Sequence, residues 1–250
     1  MRENGDGHRQ PNEAAKVRNR KRMILLFSSG VIVLFIAAIF FMGYSAMQKN
    51  RAALHKKMET HRVSQTTAIN YSNQPFIGST DVPVRLAIFT DYRCPYCKTF
   101  DLKILPAVIQ KYVNANKASI YFFNDVILGP LSNLAANAAE EVYEQNPKAF
   151  FDFNQALFKA QEGESKPWLT KKLLMDIAEK EVPSLDSKAF QNALNINSRQ
   201  RAVDNDNQIA EELGVSGTPT VLIDGKPSED ALDLHKLERD IDKALKQKDH

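Results

Sequence analysis

The apolar run VPVRLAIFT (Val82–Thr90) leads through Asp91-Tyr92-Arg93 into Cys94-Pro95-Tyr96-Cys97. A short stretch this rich in β-branched and large apolar residues predicts a buried strand. From Pro95 onward Phe100, Ile104, Leu105, Val108, Ile109 and Tyr112 recur at three- and four-residue spacing. That period predicts a helix beginning at or beside the first cysteine and kinked at Pro106. ASIYFFND (Ala118–Asp125) predicts a second buried strand, so the order opens strand, helix, strand. A strand that ends on a helix whose first turn holds two thiols leaves few architectures open.

About 80 residues without strand character follow. Leu131, Leu134, Ala135, Ala138, Val142 and Tyr143 form one apolar stripe, and Phe150, Phe151, Leu157 and Phe158 another. Thr170 is placed to cap a third helix carrying Leu173, Leu174, Ile177 and Ala178. Further helical segments are expected from Leu185 to Leu194 and from Arg199 to Leu213. Strand character returns in TVLIDG (Thr220–Gly225), where Asp-Gly signals a turn, and Leu234, Leu237, Ile241 and Leu245 line a terminal helix. The pattern is an α/β sheet fold interrupted by a block of helices over about 128–213.

Charge is segregated. Residues 1–62 carry twelve Lys/Arg against four Asp/Glu, while the remainder holds 21 basic and 26 acidic side chains. The basic pI therefore belongs to the N-terminal arm, and no basic face remains for nucleic acid. Met23–Met47 contains no charged residue. As a helix it spans roughly 37 Å, more than a ~30 Å hydrocarbon core, which predicts a single membrane anchor. A cleaved secretory signal is the alternative, with Gly43-Tyr44-Ser45 as a small-x-small site. KVRNRKR before the span and QKNRAALHKKMETHR after it each carry five Lys/Arg, so the positive-inside rule favours an inside N-terminus only slightly. The expected organisation is a cytoplasmic basic arm at 1–22, the anchor at 23–47, a stalk and linker at 48–75, and a domain at 76–248.

Both cysteines of the 250-residue chain sit in the one pair. A structural disulfide closing so short a loop contributes little chain-entropy stabilisation. Zinc usually takes four ligands, and His8, His55, His61, His235 and His250 lie in the arm, the stalk, the last helix and the terminus, so no metal is assigned to the pair. A working dithiol has a mechanism: a cysteine at a helix N-terminus faces unpaired backbone N–H groups and the positive end of the dipole, which stabilise its thiolate. Cys94 is then the attacking, solvent-facing sulfur, and Cys97, one turn in, the shielded resolving sulfur. Pro95 suits the first helical turn, and Tyr96 supplies a backbone N–H and a phenol near the sulfur. Calcium binding among the carboxylates stays open, since no spacing selects ligands.

CPYC after a strand, with VSGTPT (Val215–Thr220) far downstream and helices between, resembles a thioredoxin-fold oxidoreductase of the DsbA-like branch. The stretches FTDYRCPYCK, LAANAAEEVYEQNPKAFFDFNQALFKAQ and VSGTPTVLIDGK are most similar to the membrane-anchored Gram-positive members, the BdbD type. The resemblance implies a thioredoxin fold with a helical insertion, preceded here by one transmembrane helix. It implies that Pro219 is a cis-proline packed beside the disulfide, where the Thr218 backbone pairs with an extended substrate and its hydroxyl tunes the sulfur. Many relatives of this fold place a buried acid six residues before the first cysteine; here that position is Ile88. Asp91 is then a possible proton carrier, though a solvated turn cap is the simpler expectation for a residue just past the strand, and Cys97 exchanges its proton through water.

The implied activity is an extracytoplasmic protein-disulfide oxidase that donates the Cys94–Cys97 disulfide to secreted or membrane proteins. A DsbB-like membrane quinone reductase would reoxidise it, and no cofactor is expected in the domain. An oxidising dithiol belongs outside the cytosol, which sets the N-terminus inside. Two other readings stand beside this one: a reductase or isomerase on the same fold, and a membrane-tethered metal-binding or chaperone module.

Overall fold

The computed structural model describes residues 69–162 and 168–248. The arm, the anchor, the stalk and residues 63–68 of the linker lie outside the described residues. Among the described residues no helix is long and apolar enough to cross a membrane.

Strands β1 (Phe76–Ile77), β2 (Val84–Thr90), β3 (Ala118–Asn124), β4 (Thr220–Ile223) and β5 (Lys226–Pro227) form one sheet in the order β1-β3-β2-β4-β5. β2 and β3 are parallel, paired from Val84–Ala118 to Thr90–Asn124. β4 lies antiparallel on the other side of β2, with Phe89 opposite Thr220. Asp224 and Gly225, at φ of 47° and 82°, make the tight turn into β5. Both residues need φ above zero in such a turn, which is why Asp-Gly marks it. β1 and β5 are two-residue edges, too short to leave an alternation in the sequence.

The predicted redox helix is a composite. α1 (Pro95–Thr99) and α2 (Leu105–Val108) alternate with wider π-helical turns at Phe100–Ile104 and Ile109–Val113. Leu105 N–H bonds to the Phe100 carbonyl five residues back. Pro106 has no N–H for a regular bond, and the ladder widens to π-helical turns just before it.

The insertion consists of α3 (Pro130–Gln145), α4 (Phe150–Ala160), α5 (Lys171–Glu181), α6 (Ser187–Ile196) and α7 (Gln200–Glu212); α8 (Leu234–Lys248) closes the fold. Thr170 caps α5, its hydroxyl accepting from Leu173 N–H at 3.1 Å, and Asp186 caps α6 in the same way.

The period-2 alternation of the strands divides the core. Leu86, Ile88, Ile120, Phe122, Val221 and Ile223 face the redox helix, the insertion and α8. Ala87, Phe89, Tyr121, Phe123 and Leu222 face the other way and are covered by Ala210 of α7 with Ile209 and Leu213. α7 is thus the layer behind the sheet. Residues 69–75, expected to be linker, instead belong to that layer. Tyr71 packs on Tyr121 with ring centroids 4.4 Å apart, and buried Gln74 donates to Asp206 at 2.8 Å. Their polar composition hid the packing because the side chains that bury are a tyrosine and an amide.

Candidate active site

β2 ends at Thr90, and Asp91–Arg93 turn the chain so that Cys94 is the N-cap of α1, at φ −73° and ψ 121°. Its N–H donates to the Asp91 carbonyl at 3.0 Å. Pro95 occupies the first helical turn, where its missing N–H costs nothing, so the free amides facing the sulfur are those of Tyr96 and Cys97. The Tyr96 side chain is 64% exposed, so its backbone rather than its phenol serves the sulfur. Both thiols are free. Cys97 is fully buried, and Cys94 is only 5% exposed, which corrects the expectation of a solvent-facing sulfur.

The pairing of Phe89 with Thr220 carries the residues just before β4 to the end of β2, beside the redox turn. There the Thr218–Pro219 peptide is cis. The Cys94 thiol donates to the Thr218 carbonyl at 3.4 Å. The Thr218 hydroxyl is buried and makes no hydrogen bond in this reduced state, yet it stands close enough to both sulfurs to lower their pKa. A hydroxyl so placed gains a partner when a neighbouring sulfur ionises.

The two thiols are driven apart electrostatically. The Cys94 pKa falls from 9.0 to about 6. The largest cause is the hydrogen bond from the Cys97 thiol; burial opposes it, and the Thr218 hydroxyl and the amides of Cys97 and Tyr96 add to it. The helix amides expected to dominate therefore rank behind the neighbouring sulfur. Burial pushes the Cys97 thiol far up, and the Cys94 sulfur, as hydrogen-bond partner and as negative charge, pushes it further.

Asp91 is not solvated. It is 2% exposed, and its carboxylate accepts from Arg93 N–H at 2.8 Å and from Ile127 and Leu128 N–H at 3.0 Å each. It caps the redox turn and ties it to the loop after β3. Ile88 is buried in β2, as befits the apolar core position it occupies.

Several functional neighbours were not predicted. Gln161, just past α4, donates through Nε2 to the carbonyls of Tyr92 at 2.7 Å and Cys94 at 3.0 Å. Lys98 Nζ donates in return to the Gln161 carbonyl. Nothing in the pattern of FKAQEG marks this glutamine, because the contact crosses 67 positions. Asp101 is 2% exposed; one oxygen accepts from Asn154 at 2.7 Å, the other is buried without a partner, and burial pushes its pKa up to about 7. Its signal was legible: an acid four residues after Cys97 shares the buried face of the redox helix. Asn124 Nδ2 bridges Glu140 at 2.8 Å and Asp206 at 3.0 Å, both buried, and burial pushes their pKa values up to about 8 and about 6. Among the described residues no group of three or more His, Cys, Asp or Glu is arranged to hold a metal ion.

Residues 70–243 match the family model described as thioredoxin. The chain belongs to the thioredoxin family. The oxidoreductase is 32% identical over 176 residues to the probable disulfide bond formation protein D of Bacillus anthracis, covering 70% of this chain and 80% of the relative. It superposes on the crystal structure of oxidised BdbD from Bacillus subtilis with a TM-score of 0.68 at 30% identity, over 71% of this chain and 95% of the other. The DsbA of Chlamydia trachomatis shares the fold at 19% identity and a TM-score of 0.64, over 74% and 97% of the two chains. The chain is accordingly a DsbA-like protein-disulfide oxidoreductase of the BdbD type.

Thiol–disulfide exchange is what this geometry can do. A partner thiolate attacks the Cys94 sulfur of the disulfide, the S–S bond breaks, and Cys97 leaves and takes up a proton. A new disulfide joins Cys94 to the partner. Attack by a second thiolate on the partner's sulfur then releases Cys94 as a thiolate, the form the site stabilises.

Proposed function

We propose that the oxidoreductase works as an oxidase, donating its Cys94–Cys97 disulfide to cysteine-containing proteins on the outer side of the cytoplasmic membrane. The observation that carries the direction is the Cys94 pKa of about 6. A stabilised thiolate stabilises the dithiol product, which makes the disulfide the stronger oxidant, by about 30 mV for each ~1.4 kcal/mol. The relatives' name, disulfide bond formation protein D, supports the same direction. The uncharged run Met23–Met47 supports membrane attachment, with the basic residues 1–22 inside and the domain outside. An oxidising compartment is compatible with a chain whose two cysteines are both in the active pair. The two electrons gained per turnover pass to a membrane quinone reductase of the DsbB type, and the domain itself needs no cofactor.

Replacing Cys97 with serine in cells tests this reading, because the mixed disulfide on Cys94 can no longer be resolved from within. Secreted or membrane proteins trapped on Cys94 support it. Adducts restricted to glutathione, or a reduction potential that glutathione buffers cannot bring out in the reduced form, favour a reductase instead.

A further inference from the structure

We propose that Gln161 is a positioning residue for the redox site: its carboxamide, reaching from the end of the helical insertion, fixes the carbonyls of Tyr92 and Cys94 and so keeps the redox helix amides aimed at the Cys94 sulfur. The inference rests on the dithiol reading of the site, and extends it to a residue outside the thioredoxin core.

Cys94 has no side-chain cap of its own for α1, and its carbonyl receives a single helical donor, Lys98 N–H, at 3.2 Å. Gln161 supplies that carbonyl's second donor at 3.0 Å. The same nitrogen donates at 2.7 Å to the Tyr92 carbonyl, two residues earlier. One NH2 group thus bridges both sides of the turn that sets where Cys94 stands relative to the amides of Tyr96 and Cys97. A primary amide can make this bridge because it has two N–H donors on one nitrogen, where a hydroxyl has one and a carboxylate none.

The grip is reciprocal. Lys98, in the last turn of α1, extends its ammonium group to the Gln161 carbonyl and, at 3.5 Å, to that of Lys159. Those carbonyls are the C-terminal end of α4, where partial negative charge gathers. Gln161 itself is 4% exposed, so its bonds are made away from water, where losing them leaves two carbonyls under-bonded. The ring of Tyr92 packs on Phe158 of α4, with centroids 5.0 Å apart, closing the same joint with apolar contact.

Two variants test the role. Gln161→Met keeps the length and removes both donors. Gln161→Glu keeps the shape and, once ionised, turns a carboxylate toward the two carbonyl oxygens, with the Lys98 ammonium group nearby to offset part of the charge. The Cys94 thiolate is titrated by its ultraviolet absorbance in the reduced protein, alongside circular dichroism to certify the fold. The expected result is a Cys94 ionisation constant lowered about threefold in Gln161→Met and about tenfold in Gln161→Glu. Tenfold corresponds to about 30 mV less oxidising potential. The amides of Tyr96 and Cys97 should also exchange their hydrogens faster in both. Should Gln161→Met fail to fold, hydrogen exchange at the Tyr96 and Cys97 amides of Gln161→Glu with its carboxyl protonated reads the positioning without the added charge, and unchanged exchange there overturns the proposal. An unchanged Cys94 titration in a folded variant, whatever its thermal stability, overturns the proposal. Because the readout is a thiol titration, failure here leaves the trapping experiment on Cys97→Ser untouched, and failure of that experiment leaves this one to stand.

Discussion

The depressed thiol predicts how the reduction potential follows pH. When two protons accompany the two electrons, the potential falls by about 59 mV per pH unit, and when one does, by about 30 mV. The change of slope marks the pKa of the first thiol to ionise. In an ordinary dithiol it would lie near 9.0; here it should lie at about 6. The sign follows from linkage: a lowered pKa in the folded dithiol stabilises it fully above the free-thiol value, partly at neutrality, and not at all below about 6. At pH 7, one unit above that pKa, the stabilisation of the reduced form is at most about 1.4 kcal/mol. Between pH 6 and pH 8 the potential should therefore fall by about 70 mV, against about 120 mV for an unperturbed pair, a difference near 50 mV. Equilibration with glutathione or dithiothreitol buffers at half-unit steps, quantified by thiol alkylation, resolves that difference. A single slope near 59 mV per unit from pH 5 to pH 8 would refute the electrostatic reasoning and the oxidant assignment that depends on it.

Thr218→Val removes the buried hydroxyl facing both sulfurs and should raise the Cys94 pKa by about one unit, moving the break in slope toward pH 7 while the fold persists. Asp91→Asn weakens a carboxylate held by three amides and should destabilise the domain by about 1–3 kcal/mol, read from denaturant unfolding. Glu140 and Asp206 titrate in the opposite sense to Cys94. Their folded pKa values are raised, so stability is fully present below about pH 4 and is lost as pH rises through about 6 and about 8. Unfolding in chelator-containing buffer should show a loss of a few kcal/mol over that window, flattened in Glu140→Gln; an equal slope in both proteins would remove Glu140 from the account.

Local chemistry was legible in the sequence where it depends on neighbours along the chain. The strand before the cysteines, the helix after them, the Asp224-Gly225 turn and the Thr170 cap each follow from a few adjacent residues, and the structure contains each. The proximity of Pro219 to the cysteines came from resemblance, and its physical basis, the pairing of Phe89 with Thr220, is a register that composition does not encode. Residues 69–75 and Gln161 escaped for the opposite reason to each other. The first carries its packing on Tyr71 and Gln74, which read as linker residues, whereas Gln161 acts through a carboxamide on carbonyls remote in sequence. Asp91 was misplaced because a polar residue past a strand is usually solvated, and here the loop after β3 folds over it and supplies two amides.

The asymmetry of the pair also determines which way the mixed disulfide resolves. While Cys94 is joined to a partner it carries no charge, so part of what raises the Cys97 pKa in the dithiol disappears; what remains is burial. Burial still keeps Cys97 largely protonated, and a thiol is a poor nucleophile compared with its thiolate. Burial therefore slows return attack by Cys97, which would release the partner still reduced, and Cys97→Ser removes that escape altogether. Attack by the partner's own second thiolate needs no such ionisation within the site and expels Cys94, whose low pKa makes it the better leaving group. On the oxidase reading forward transfer is favoured because one sulfur sits at the helix start beside Thr218 and the other, a turn inside, is buried.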